Sequence, residues 1–218
     1  MSQPEFEYAS PSGTRRYGPM PHFKQFVLAT LIIAALAGAC TSSLYLKVQY
    51  HLPPSSKELT GESVAVTISD RRNDPAFLSH KAKGSLKNFD GTYSLVVLSR
   101  DGIAHSTGLH DLDSMLTEIF SQRLANEGIQ TTAANASATL AIQLEAFKLD
   151  IADRKWVLRM SYQATLIKDG RPAANESVNG TAERLKLMGK SEAEEILGDL
   201  VSDMVNRLDV TKLVHQLR

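Results

Sequence analysis

Between Trp156 and Leu166 the chain alternates without a break. Trp156, Leu158, Met160, Tyr162, Ala164 and Leu166 are apolar, with mostly polar residues between them. Period two is the signature of a strand with one buried face, and a slip of one residue would expose the whole apolar set. The strand is also bracketed. Asp153-Arg154 before it predicts a tight reversal, and Asp169-Gly170 after it is a two-residue hairpin signal. A neighbouring strand is therefore expected on each side. In Thr139–Ile151 the apolar residues Leu140, Ile142 and Leu144 are even-numbered, whereas Phe147, Leu149 and Ile151 are odd. That change of parity predicts a β-bulge near Glu145–Ala146. The partner on the other side, Arg171–Leu187, is longer and more polar, as suits a strand with one wet face at a sheet edge.

The first half of the chain adds three strands. Leu44, Leu46, Val48 and Tyr50 alternate before the Pro53–Ser56 connection, Ser63–Asp70 follows, and Tyr93–Ser99 is β-branched and apolar. Ala76–Thr92 has little pattern beyond the turn pair Asp90-Gly91. Leu112, Met115, Leu116, Ile119, Phe120 and Leu124 fall at helical spacing, so Leu109–Glu127 is expected to be an amphipathic helix ending at Gly128. Its other face, with Asp113, Glu118, Gln122 and Arg123, is expected in solvent. A last helix is expected from a Ser191/Glu194 capping box, with the stripe Ala193, Ile196, Leu197, Leu200, Val201, Met204, Val205 and Leu208. Asp209 can cap a further short turn. Two apolar helix stripes and one apolar sheet face are buried together by an α+β two-layer sandwich, with a mostly antiparallel sheet and the two main helices on one face.

Ahead of this domain stands Phe26–Ala39, about 14 uncharged residues, short of the roughly 20 that span a bilayer. It fits the apolar core of a secretory signal. Ala37, Gly38 and Ala39 are small enough to enter a peptidase in extended form, and Cys40 then offers a thiol for lipid attachment. The ending resembles a bacterial lipobox, with Ala37 where Leu is commoner. The other reading is an uncleaved anchor continuing through Leu46, which Thr41-Ser42-Ser43 interrupts. Met20–Lys24 makes a mildly basic lead, and Met20 is a second candidate start. Arg15-Arg16 lacks the apolar context of a twin-arginine signal. The organisation expected is an extension plus lipoprotein signal over 1–39, a lipidated tether and first strand over 40–62, and one α+β domain over 63–218.

Lys plus Arg and Asp plus Glu number 24 each, so the totals offer no field for nucleic acid and no polybasic run for anionic lipid. Cys40 is the only cysteine, which excludes a disulfide within the chain and a cysteine-based metal site. His105 and His110 lack the spacing of one helix face or of a metal motif; they and His51, His80 and His215 are expected on the surface. There is no G-x-S-x-G elbow and no Gly-rich phosphate loop. Nothing implies a metal or a cofactor. The most suggestive charged cluster is Asp70-Arg71-Arg72 at a strand end, where a guanidinium fork could hold a phosphate, a carboxylate or a partner, or simply pin the turn.

Several of these features together resemble the YajG-like bacterial lipoproteins: the lipobox, the Val64–Ile68 strand opening onto Asp70-Arg71-Arg72, and the helix ending in Arg123-Leu-Ala-Asn-Glu-Gly128. The Leu140–Leu144 strand, the Trp156–Ile167 strand with its Asp169-Gly170 turn, and the closing helix fit as well. The resemblance spans Leu44–Arg218. It implies an outer-membrane lipoprotein on the periplasmic side, with Thr41 after the lipidated cysteine. The expected role is non-catalytic: membrane attachment through the lipid and binding of an envelope protein partner. The alternative is a carrier of lipid or another apolar ligand for an envelope transport system, and a hydrolase with catalytic residues scattered over loops is the third reading.

Overall fold

The computed structural model describes residues 44–132, 136–187 and 189–216. In chain order the elements are β1 (Leu44–His51), β2 (Val64–Asp70), α1 (His80–Ser85), β3 (Phe89–Leu98), β4 (Ala104–His110) and α2 (Leu112–Asn126). Then follow β5 (Ala138–Ala152), β6 (Lys155–Lys168), β7 (Arg171–Leu185), α3 (Lys190–Asn206) and α4 (Val210–His215). The α+β sandwich is present, but its strands form two mixed sheets instead of one. The orders are β1-β3-β4 and β2-β5-β6-β7. β1 runs parallel to β3 and β2 parallel to β5; the remaining pairs are antiparallel.

The bracketed strand behaves as its alternation requires. All six apolar residues from Trp156 to Leu166 are buried in β6. Asp153 and Arg154 have φ of 48° and 62°, and Asp169 and Gly170 of 52° and 73°, so both reversals use left-handed residue pairs that match the strand twist. The register of β5 on β6 shifts between Leu144 and Ala146, which is the expected bulge. It keeps Leu144 and Phe147 both in the core. β7 takes the edge beyond β6.

Three elements depart from the sequence reading. Ala76–Thr92 contains α1, a helix too short to show periodicity, capped by the Ser79 hydroxyl accepting from the Ala82 N–H at 3.2 Å. Asp90-Gly91 is not a turn between elements but part of β3, where the β1 register shifts between Leu44 and Leu46. β4 has no buried residue, so its sequence carries no apolar alternation to betray it. Its His105 is exposed, and His110 lies within hydrogen-bond distance of the Thr107 hydroxyl at 3.0 Å. The long helices also begin later or earlier than expected. α2 starts after Asp111, whose carboxylate accepts from the Ser114 N–H at 2.8 Å. α3 starts after Gly189, whose N–H donates to Glu192 at 2.7 Å. Ser191 is therefore not the cap, and Glu194 is released for another task.

The stripes of α2 and α3 share one core with the inner faces of β5, β6 and β7 and with Leu46, Val48, Tyr50, Tyr93 and Leu95 of the smaller sheet. Phe77 joins the ends of the sheets by stacking on Phe147 at 4.8 Å and meeting Tyr93 and Phe89 edge-on. Burying a large side chain of this kind is worth about 1.5–3 kcal/mol, which the entropy of ordering the chain nearly offsets. α4 closes the far side with Val210, Leu213 and Val214, its first turn capped by Asp209 accepting from the Lys212 N–H at 2.8 Å.

Candidate functional site

Of the residues singled out from sequence, Cys40 lies outside the described residues. The Asp70–Arg72 cluster is in view. The Arg72 guanidinium donates from Nε to Asp70 Oδ1 at 2.9 Å and from Nη2 to Asp70 Oδ2 at 2.7 Å. Its remaining arm donates to the Phe147 carbonyl at 3.2 Å, and its side chain is only 6% exposed. The fork is thus spent on the turn and on the strand beside the bulge. The Arg72 hydrogen bond also holds the Asp70 carboxyl below the usual carboxylate range, against a smaller opposing effect of burial. Arg71 is exposed; its backbone N–H donates to the Leu144 carbonyl at 2.8 Å, continuing the β2–β5 ladder.

β1 and β7, one edge strand of each sheet, are treated in opposite ways. Along β1, the residues of α3 at spacing four, Glu194, Gly198, Ser202 and Asn206, form one stripe against the strand's free side. Glu194 accepts from the Lys47 N–H at 2.8 Å. Ser202 accepts from the His51 N–H at 3.0 Å and lies 3.3 Å from the Gln49 carbonyl. Asn206 donates to the His51 carbonyl at 2.8 Å. Gly198 fills the gap in this series, where a Cβ would stand 2.8 Å from the Gln49 carbonyl oxygen. The match is geometric: four helical residues rise about 6 Å and two strand residues about 6.6 Å. Side chains of α3 thereby satisfy the groups that an edge strand would otherwise present to another chain.

β7 has no such cover. Among the described residues, no hydrogen bond from another element reaches its outer backbone side. Odd residues from Ala173 to Leu185 are exposed along all 15 residues of the strand. The solvent face beside it is uncharged over two cross-strand rows. Thr67, Ala141, Thr165 and Asn175 stand in register, and so do Ser69, Gln143, Gln163 and Ser177. The one carboxylate of the middle of β7, Glu176, has the inward parity of Ala174 and Val178, and its Oε2 is buried without a hydrogen-bond partner.

A buried polar group lies under the end of β1. Arg123, expected in solvent, is buried with Glu127 as an ion pair one helical turn apart. Its face of α2 is turned inward because α2 packs on β2, β3 and α3, with Tyr50 of β1 near the pair. The Ser56 hydroxyl also donates to Glu127, and the Tyr50 hydroxyl donates to Asn206 at 2.9 Å. Burial pushes the Tyr50 phenol well above the usual range; Arg123 opposes this and Glu127 adds to it. Tyr162 donates to the Met204 carbonyl at 2.9 Å, supplying one of the partners that the end of α3 lacks. Apart from Arg123 Nε, which is buried without a hydrogen-bond partner, these groups consume one another's hydrogen bonds, which is the arrangement of a structural network. Among the described residues, no group of three His, Cys, Asp or Glu side chains is placed to hold a metal, and no helix is long and apolar enough to cross a membrane.

No protein-family model matches the chain, and no curated protein matches it by sequence. Solved structures are similar to it at low identity. A DUF330 protein of Xanthomonas campestris is 12% identical, with 79% of this chain and 95% of that one aligned at a TM-score of 0.49. PelC of Paraburkholderia phytofirmans, solved as a dodecamer, is 13% identical over 70% of this chain and 92% of that one, TM-score 0.31. The lipoprotein GNA1162 of Neisseria meningitidis is 13% identical over 67% and 97%, TM-score 0.30. Likeness of this degree decides no role, so the readings below stand on the sequence and the geometry.

Proposed function

We propose that this chain is a lipid-anchored, periplasm-facing outer-membrane lipoprotein of YajG-like type, whose domain is a non-catalytic binding and assembly module. The anchor is the Cys40 thiol. The binding surface is the outer edge of β7 with the uncharged sheet face next to it, and the partner is an envelope protein that adds a strand there. The observation that carries this is the contrast between the edges. β1 is laced by α3, whereas among the described residues no other element bonds the outer backbone side of the longer β7. Arg71, exposed beside the spent Asp70–Arg72 fork, is the group of that turn left to meet a partner.

The carrier reading needs room for a ligand. The apolar space lined by Val64, Leu124, Leu140, Leu166, Val210, Leu213 and Val214 is only about 10 Å³, against the roughly 300–1,000 Å³ of small-molecule sites. Tight packing between sheet and helices favours the assembly reading.

Two measurements test the proposal. Palmitate labelling and envelope fractionation of wild type and Cys40→Ser address the anchor. Loss of label and of sedimentation in the variant is expected; a variant that still pellets unlabelled removes it. Photocrosslinkers at Ser177 and Asn179 address the edge in intact cells. A discrete adduct is expected there, absent from a probe at Gln49 and lost when the neighbouring Ser177 or Asn179 is replaced by Lys. An adduct pattern that ignores position or these substitutions refutes the β7 surface.

A further inference from the structure

The totals of the sequence conceal a local assembly of charge. Lys81 of α1, Arg154 of the β5–β6 turn and Lys186 after β7 line one open cleft of about 440 Å³, together with Ser85 and Ile151. Among the described residues, no carboxylate lines it and none of these cations enters an ion pair. The carboxylate that feels Lys81, Asp150, is bound first to Ser79. Two of the cations are tied together through the backbone. The Lys186 N–H donates to the Arg154 carbonyl at 2.9 Å, and the Lys186 ammonium lies 5.9 Å from the Trp156 ring. On either side of Lys186, Leu185 and Leu187 are 58% and 79% exposed. Leu185 has the outward parity of β7, so the leucines project from the same strand end as the cleft but from its other face. A surface met end-on, anionic outside and apolar within, would meet cations and leucines together.

The same end of the domain receives the amino-terminal strand. Leu44 donates its N–H to the Asn88 carbonyl at 3.0 Å, three residues past α1. Tyr45 beside it carries the Lys190 ammonium 4.8 Å from its ring. Cys40 precedes Leu44 by four residues, a reach of at most about 14 Å. A lipid on that thiol holds this end at the bilayer surface.

We propose that the Lys81–Arg154–Lys186 cleft binds the phosphate of an anionic phospholipid headgroup, with Leu185 and Leu187 entering the acyl boundary. The orientation it confers rests on the anchored reading; headgroup binding itself does not. The domain then stands with this end on the membrane and the Asp169-Gly170 turn, at the other end of β6 and β7, away from it.

Titration calorimetry of full-length Cys40→Ser protein separates the two. Soluble short-chain phosphatidylglycerol, short-chain phosphatidylcholine and inorganic phosphate are the probes. Phosphatidylglycerol is expected to bind at least tenfold more tightly than either of the others. Arg154→Ala, Lys186→Ala and Lys81→Ala are each expected to weaken it about fivefold. Arg171→Ala, at the opposite end, should leave it unchanged. Equal binding of phosphatidylglycerol and phosphatidylcholine overturns the proposal, as does inorganic phosphate binding as tightly as the lipid. Insensitivity to all three cation substitutions, or sensitivity to Arg171→Ala alike, also overturns it. Palmitate labelling of wild type reports on Cys40 independently, so failure of the anchor and failure of the cleft give different results.

Discussion

Gly198→Ala tests whether α3 truly seals β1. In the middle of an ordinary helix this change stabilises by about 1 kcal/mol, because glycine loses more backbone entropy. At Gly198 the new Cβ would stand 2.8 Å from the Gln49 carbonyl oxygen and 3.2 Å from its nitrogen. Ordinary carbon–oxygen contact is about 3.3–3.6 Å, so helix and strand must part by about 0.5 Å. Overpacking of this kind costs about 1–3 kcal/mol. The separation also stretches the bonds from Glu194, Ser202 and Asn206 to β1, each worth about 1 kcal/mol. The balance is a net loss of about 2 kcal/mol, or roughly 4–8 °C in Tm for a domain of this size. Gly84→Ala is the control. It sits in α1 with nothing within 4 Å of a new Cβ, and is expected to stabilise by about 0.5–1 kcal/mol. Urea unfolding followed by circular dichroism reads both. A Gly198→Ala protein as stable as wild type, or more so, would falsify the close approach on which the sealed edge depends.

Other expectations follow from the buried groups. Glu127→Leu should destabilise by about 3 kcal/mol, because it leaves the Arg123 charge buried and unpaired, and the double variant Arg123→Met/Glu127→Leu should recover much of that loss; equal damage in both variants would show that the pair is not the cause. Asp70, Asp111 and Asp150 are held below the usual carboxylate range, Asp70 mainly by Arg72, Asp111 by Ser114 and Asp150 by Ser79. In the folded state they bind fewer protons than in the unfolded state, so their contribution is complete above the unfolded pKa of about 3.9 and lost as pH falls through the lower folded values. Urea midpoints should therefore be level down to about pH 5 and fall below about pH 4, less steeply in Asp70→Asn; a midpoint rising toward acid would contradict the hydrogen bonds. Tyr50, Tyr93 and Tyr162 are pushed far up by burial. Here the folded state holds protons that the unfolded state releases, so stability declines as pH rises past about 10, and these phenols should ionise only as the chain unfolds. Reversible ionisation of all three below the alkaline transition, seen by ultraviolet absorbance, would show that they are open to water.

The parts of the fold that were legible are those in which local pattern and tertiary burial agree. β6 declared itself because each alternate residue enters one core, and the bulge in β5 because a parity change has few other solutions. β4 was silent for the opposite reason: an edge strand with no buried residue has no apolar period to display. The division into two sheets was hidden too, since parallel pairing of β1 with β3 and of β2 with β5 joins residues far apart in the chain. Arg123 was misplaced because its charge argues for solvent, although Ile119 and Phe120 one turn back belong to the buried stripe and place it at that stripe's border. At the candidate sites, Asp70-Arg72 was visible as a cluster, yet only the structure shows its fork occupied. Lys81, Arg154 and Lys186 could not be found by any scan for a basic run, as each is supplied by a different segment. Glu194 looked like a cap and turned out to serve β1.

The lacing of β1 also bears on mechanics. A pull delivered through the amino-terminal side enters the domain at Leu44, at the head of a strand gripped by β3 on one side and by α3 on the other. Tension along that strand is shared by both rows of hydrogen bonds at once and cannot open them one by one from a loose margin. A tug on this strand is therefore resisted on both of its sides before the rest of the domain is unravelled.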